Sequence, residues 1–243
     1  MSFRKFRKVY LIGLLVTWIV FACSSEYDCV SGNRQVVRKE LMVADFDAVI
    51  LDINAEVYLR QDTTSMQNTV TIEAESNILP ELKTSVKNRS LILKRDKCWA
   101  TVKGIKCFIS VRRLNSLTLN SAGKIYFPSF NSSSSFYCYS AGSGSIELNY
   151  NGPFLKVTIN GSGDVTLSGK TLMEEIQISG SGDVNAFGLL AQESTVSISG
   201  SGDAQVRCEK TLNAYIDGSG NIIYQGNPTV NSRVVGLGRI IRF

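Results

Sequence analysis

The chain has 243 residues, 44% of them hydrophobic and 19% charged, with 26 lysines and arginines against 21 acids and no histidine. Without imidazole, Ser-His-Asp and Cys-His nucleophilic machinery is excluded, as are most zinc sites with nitrogen ligands. The formal net charge of +5 is carried almost entirely by the first residues, so no basic face for nucleic acid is implied.

Arg4, Lys5, Arg7 and Lys8 precede an apolar stretch from Val9 to Phe21 that ends at Ala22-Cys23. A basic start, an apolar middle shorter than the ~20 residues of a spanning helix, and a small residue at the end are the parts of a secretory signal. Residues 1–22 are therefore expected to be removed, leaving 22 basic against 21 acidic residues. The ending "VFAC" resembles the lipobox of bacterial lipoproteins, which makes Cys23 the expected lipid attachment site and membrane anchor; an unlipidated secreted chain is the alternative. Residues 23–44 then serve as attachment and linker. If Cys23 carries lipid, five cysteines remain (Cys29, Cys98, Cys107, Cys138 and Cys208), an odd count that cannot pair completely within the chain. Cys98 and Cys107 flank the hairpin-like "WATVKGIK" and are the expected disulfide, with two free thiols on neighbouring strands as the alternative.

Residues 45–115 alternate apolar and polar in "AVILDINAEVYLRQ", "NTVTIEAES", "SLILKR" and "CFISVRR". This region reads as early coils and an irregular N-terminal cap, with "NILPEL" as a short turn or a single helical turn, and a separate small β domain as the alternative.

From residue 116 an internal repeat takes over. Aligned on one glycine per copy, the marks are Gly123, Gly144, Gly163, Gly182, Gly202, Gly220 and Gly238, in steps of 21, 19, 19, 20, 18 and 18 residues. Four positions earlier stand Leu119, Ser140, Ile159, Ile178, Ile198, Ile216 and Val234; two positions later stand Ile125, Ile146, Val165, Val184, Ala204, Ile222 and Ile240. Apolar columns separated by polar positions mean strands with one face in and one out, and a repeat of this period marks a solenoid. No segment has the apolar spacing of a crossover helix. The expectation is an all-β, right-handed, single-stranded parallel β-helix with coils of about 18–21 residues over 116–243. The pairs Gly161/Gly163, Gly180/Gly182, Gly200/Gly202 and Gly218/Gly220 mark the corners, where a Cβ would clash or φ would be positive.

The column after the marker glycine includes Asp164, Asp183, Asp203 and Asn221. Carboxylates in adjacent coils would lie ~5 Å apart, where a weakly held calcium ion could bridge them. The plainer reading is that these residues cap the corner through bonds to the backbone. No other cofactor is expected. Tyr137, Tyr139 and Tyr150 form an aromatic set able to stack on a sugar or anchor a protein, or simply to favour a strand.

"FDAVILDINAEVYLRQ", "SLILKR…CFISVRRLNSLTLNSAG" and the repeated "NGSGDVTLSG" together resemble the bacterial auto-transporter adhesin family with a head GIN domain, from Phe46 to Phe243. The corners "SAGK", "AGSGS" and "GLGR" depart from the pattern. The resemblance implies a right-handed β-helix and a cell-envelope location, and brings no catalytic motif. The expected function is a non-enzymatic envelope lipoprotein at the outer membrane, on its cell-surface or periplasmic face, that binds a glycan or an envelope or host surface protein. A periplasmic scaffold is the alternative. A cation-dependent polysaccharide lyase using Asp164, Asp183 and Asp203 near Lys156 or Lys170 ranks third, because regular spacing argues for a structural ladder.

Overall fold

A computed structural model describes residues 29–243 apart from Met66; the leader and Cys23 lie outside the described residues. In chain order the strands are β1 (Val30–Ser31), β2 (Val36–Val43), β3 (Ala48–Leu51), β4 (Glu56–Gln61), β5 (Asn68–Glu75), β6 (Leu82–Lys87), β7 (Ser90–Arg95), β8 (Trp99–Ala100), β9 (Lys106–Val111) and β10 (Ser116–Leu119). They continue with β11 (Lys124–Asn131), β12 (Phe136–Ser140), β13 (Ser145–Ile159), β14 (Val165–Ile178), β15 (Val184–Ile198), β16 (Ala204–Ile216), β17 (Ile222–Gln225), β18 (Thr229–Val234) and β19 (Ile240–Arg242). "NILPEL" supplies one 3-10 turn, Leu79–Glu81, and no described helix is long and apolar enough to cross a membrane.

Stacked parallel coils form a β-solenoid. The inward columns read from the sequence are the columns of the structure. Leu119 pairs with Ser140, then Ile159, Ile178, Ile198, Ile216 and Val234 follow in register. On the second face the order is Ile125, Ile146, Val165, Val184, Ala204, Ile222 and Ile240. Ile159, Ile178 and Ile198 are at most 2% exposed, and each such burial contributes roughly 1.5–3 kcal/mol. The two faces meet at the glycine corners on one side. On the other side, β13 to β16 bend continuously from one face to the next.

The corners need glycine because coils approach backbone to backbone. A Cβ on Gly200 would collide with the Gly180 carbonyl oxygen, and one on Gly202 with that of Gly182, glycine standing on glycine through the stack. None of these corner residues has positive φ, so close approach and not handedness of the turn is the cause. The corner backbone is satisfied between coils: the Ser181 N–H donates to Gly161 O at 3.1 Å and the Ser201 N–H to Gly180 O at 3.0 Å.

The amino-terminal end is less regular than its sequence order. β3 and β4 already form a coil in register with β10 and β11, the corner here being Ile53-Asn54-Ala55. The later segment β7–β9 stacks on the outer side of that coil, β7 beside β3 and β9 beside β4, both parallel. Antiparallel strands then close the end: β6 against β7, β5 against β9, and β2 against β5. Arg38, Lys39 and Glu40 on the outermost strand β2 put charge on an edge that could otherwise pair with another chain.

The disulfide differs from the expected pair. Cys29 is bonded to Cys98, holding β1 against β8 over the long corner of the β7–β9 coil. Cys107 faces inward in β9, beside Val57 and Ile72, and is fully buried as a free thiol. Strand alternation turns it into the core, away from Cys98. Glu75 completes the clasp, accepting from the backbone N–H of Arg34 at 2.7 Å, the Thr101 hydroxyl at 2.6 Å and the Val102 N–H at 3.0 Å.

Candidate binding groove

Of the residues singled out in the sequence, the Asp column is occupied by structure. Asp164 Oδ1 accepts the Asp183 N–H at 3.0 Å, Asp183 Oδ1 the Asp203 N–H at 2.7 Å, and Asp203 Oδ1 the Asn221 N–H at 2.6 Å. Asn221 passes the pattern on to the Arg239 N–H at 3.0 Å. Each side chain thus caps the corner of the following coil. Among the described residues no group of three or more acids and cysteines has the geometry to hold a metal ion.

The tyrosine set does not form one site. Tyr137 is 49% exposed and borders a polar cavity of about 610 Å³ with Arg89, Arg112 and Asn68. Tyr139 points outward from the same strand and accepts from Asn160 Nδ2 at 3.0 Å. Tyr150 is fully buried: it follows Ile146 and Leu148 on the inward side, packs near Phe130 and Phe136, and donates its hydroxyl to Phe154 O at 2.8 Å. No ligand can reach it, which corrects its place in the expected set.

A different aromatic row stands on the outer surface of the other face. Tyr58, Phe108 and Tyr126 occupy the same outward position in β4, β9 and β11. Tyr58 lies 5.2 Å from Phe108 and 5.1 Å from Tyr126 between ring centroids, at interplanar angles of 15° and 13°. Near-parallel rings that far apart are slipped, as offset stacking prefers. The Arg38 guanidinium closes one end, 5.9 Å from the Phe108 centroid, in cation–π range. These rings floor a concave groove of about 1100 Å³ crossed by β2, β5, β9, β4 and β11.

Three rows of outward side chains cross these strands; members of the second and third line the groove, and of the first only Arg38 does. The first alternates in sign, Arg38, Glu73, Lys106, Glu56 and Lys124 being successive partners in register. Arg38 pairs with Glu73 at 3.6 Å and Lys106 with Glu56 at 3.9 Å, exposed pairs worth little in stability. The middle row is Glu40, Thr71, Phe108, Tyr58 and Tyr126; the third includes Thr69, Ser110 and Arg60. The Tyr58 hydroxyl donates to Glu56 Oε2 at 3.0 Å, and proximity to that carboxylate raises the phenol above its ordinary value. At the far end Gln61 imitates a strand, its amide donating to Asn131 O at 2.9 Å and accepting from the Asn131 N–H at 3.0 Å.

A sequence signal for this row exists: "EVYL", "KCFI" and "KIYF" each place a charge, an inward apolar residue, an outward aromatic and a second inward apolar residue in succession. What hides it is the stacking of β9 outside β4, which brings Phe108 beside Tyr58 although fifty residues separate them.

The model of the family described as "Putative auto-transporter adhesin, head GIN domain" matches residues 45–228. The chain belongs to this family. The match begins just before β3 and extends into the last coils, so the groove strands β4, β5, β9 and β11 all lie within it. Among solved structures, a putative adhesin from Bacteroides fragilis superposes with TM-score 0.83 at 23% identity, covering 88% of this chain and 100% of that one. A putative adhesin from Parabacteroides merdae gives 0.70 at 21% identity, covering 89% and 99%. A Parabacteroides distasonis protein described as a putative lipid binding protein gives 0.72 at 21%, covering 88% and 99%. At these identities the likeness establishes the fold alone. No curated protein matches the chain.

Proposed function

We propose that this chain is an exported envelope lipoprotein, anchored at the outer membrane through Cys23, that works as a non-catalytic adhesin-type binding module. The observation that carries the reading is the concave aromatic groove on a five-strand surface: partly exposed rings already held in a stack on paired strands lose little entropy when they bind. The carboxylates a lyase would use are engaged in corner capping. Family membership supports the adhesin class.

Anchoring also sets geometry. From Cys23 to Cys29 the chain can reach about 20 Å, and Cys29 is clasped to Cys98 at the capped end. The capped end and its groove then sit near the membrane, with the later coils projecting from it. Protease shaving of intact and lysed cells, with Cys23→Ser beside the parent, tests the reading. Digestion on intact cells and loss of membrane association in the variant are expected. Protection until lysis would replace adhesion with the periplasmic scaffold reading, and unchanged membrane association would remove Cys23 as the anchor.

A further inference from the structure

The geometry points to a ligand class for the groove: we infer that it takes a neutral, linear glycan laid along the Phe108–Tyr58–Tyr126 row, perpendicular to the strands. This rests on the binding-module reading and adds the chemistry of the partner. Three features of the site argue for it together.

The first is spacing. The rings repeat at 5.1–5.2 Å because they stand on neighbouring parallel strands. A pyranose unit in an extended chain advances by about 5 Å, close to the ~4.8 Å strand separation, so successive sugars keep step with successive aromatics. The slipped stack leaves part of each ring open to the C–H face of a sugar.

The second is charge. The groove lining carries Glu40 beside Arg38 and Arg60, and in the row along its edge Arg38, Glu73, Lys106, Glu56 and Lys124 alternate in sign, so carboxylates sit among the cations. Arg60, in the third row, has its own partner in Asp62 at 3.4 Å. A polyanion would meet Glu40 in the groove and pass Glu73 and Glu56 along its edge, and like charge in such positions repels. A neutral polyol meets no such opposition.

The third is hydrogen-bonding capacity. Beside the rings, Thr69 and Ser110 present hydroxyls that both donate and accept, Arg60 donates and Glu40 accepts. A surface mixing both functions at short intervals matches a chain of hydroxyls. It does not match the apolar face of an amphipathic helix or an acyl chain, which would leave these groups without partners.

The test uses the purified exported protein and graded neutral oligosaccharides (β-glucan, mannan and galactan series from two to six sugars), with alginate and pectate oligomers as the acidic counterparts, read by calorimetry. Binding to one neutral series is expected, tightening up to about three or four sugars and then levelling, since three rings define the row. Raising salt from low to high ionic strength should change that affinity by less than about twofold. Tyr58→Ala should weaken it at least about tenfold. Because Tyr58 also supports the stack, Arg60→Ala, on a side chain 77% exposed, is the second variant; an affinity loss of about threefold or more with unchanged unfolding temperature is expected. Preference for the acidic oligomers with steep salt dependence would overturn the inference. So would silence across the neutral series while a photo-crosslinker at Ser110 captures a protein on intact cells, an outcome that keeps the binding-module reading. Silence in both assays would remove the groove as a binding site altogether.

Discussion

Glu174 stands in an inward column of the solenoid, between Leu155 in one neighbouring coil and Ser194 in the other, with Leu212 one coil beyond. It is 2% exposed; Oε2 accepts from the Ser194 hydroxyl at 2.9 Å, and Oε1 has no partner. Burial pushes its carboxyl up to about 8, against the opposing pull of the Ser194 hydrogen bond. In the unfolded chain the same group titrates at its ordinary value of 4.5. Between those two values the folded protein holds a proton that the unfolded chain has released, so stability must fall as pH rises, by ~1.4 kcal/mol per unit. The whole interval amounts to about 5 kcal/mol, comparable with the total stability of a small domain. The chain has no histidine, the side chain whose ordinary value lies in this window. Urea unfolding from pH 5 to 9 should show a declining limb that flattens above about pH 8, and Glu174→Gln, which keeps the size and the acceptor, should abolish the decline. A flat wild-type curve, or an equal slope in the variant, would refute the reasoning.

Gly200→Ala places a methyl against the Gly180 carbonyl oxygen, a backbone contact with no flexible partner to yield, and should cost more than about 4 kcal/mol in chemical unfolding. Ser201→Ala, one residue on and exposed, should stay within about 0.5 kcal/mol; equal effects would contradict the stacking explanation. Cys98→Ser opens a link of sequence separation 69, for which the chain-entropy estimate is about 4 kcal/mol. Hydrogen exchange in that variant should rise at β1, β8 and the Glu75 contacts while β14 and β15 stay protected, because solenoid coils lean chiefly on their neighbours. Cys107 and Cys138, whose thiols burial raises to about 12, should resist maleimide in the folded protein and react after denaturation.

Some of this molecule is legible in its amino acids because parallel in-register stacking writes itself into the chain. Each coil lays the same column over the last, so Ile159, Ile178 and Ile198 recur at nearly constant spacing and the glycine pairs recur with them. The Asp column was visible too, although its bonds run to the following coil and not within one corner. The alternation of Tyr150 with Ile146 and Leu148 marks it as inward and sets it apart from the outward Tyr137 and Tyr139. The Cys98–Cys107 expectation rested on closeness in sequence, whereas the two side chains leave the chain toward surface and core.

The sequence by itself determines the repeat, the strand alternation and the corner chemistry, since these depend on residues within one coil and the next. Only the tertiary structure decides that β7–β9 stacks outside β3–β4, that Cys29 reaches Cys98, and that Phe108, Tyr58 and Tyr126 share a groove. These arrangements join segments some forty to seventy residues apart. They are selected by which exposed coil edge offers free backbone groups and a matching apolar column, a condition that exists only once the neighbouring coils have formed.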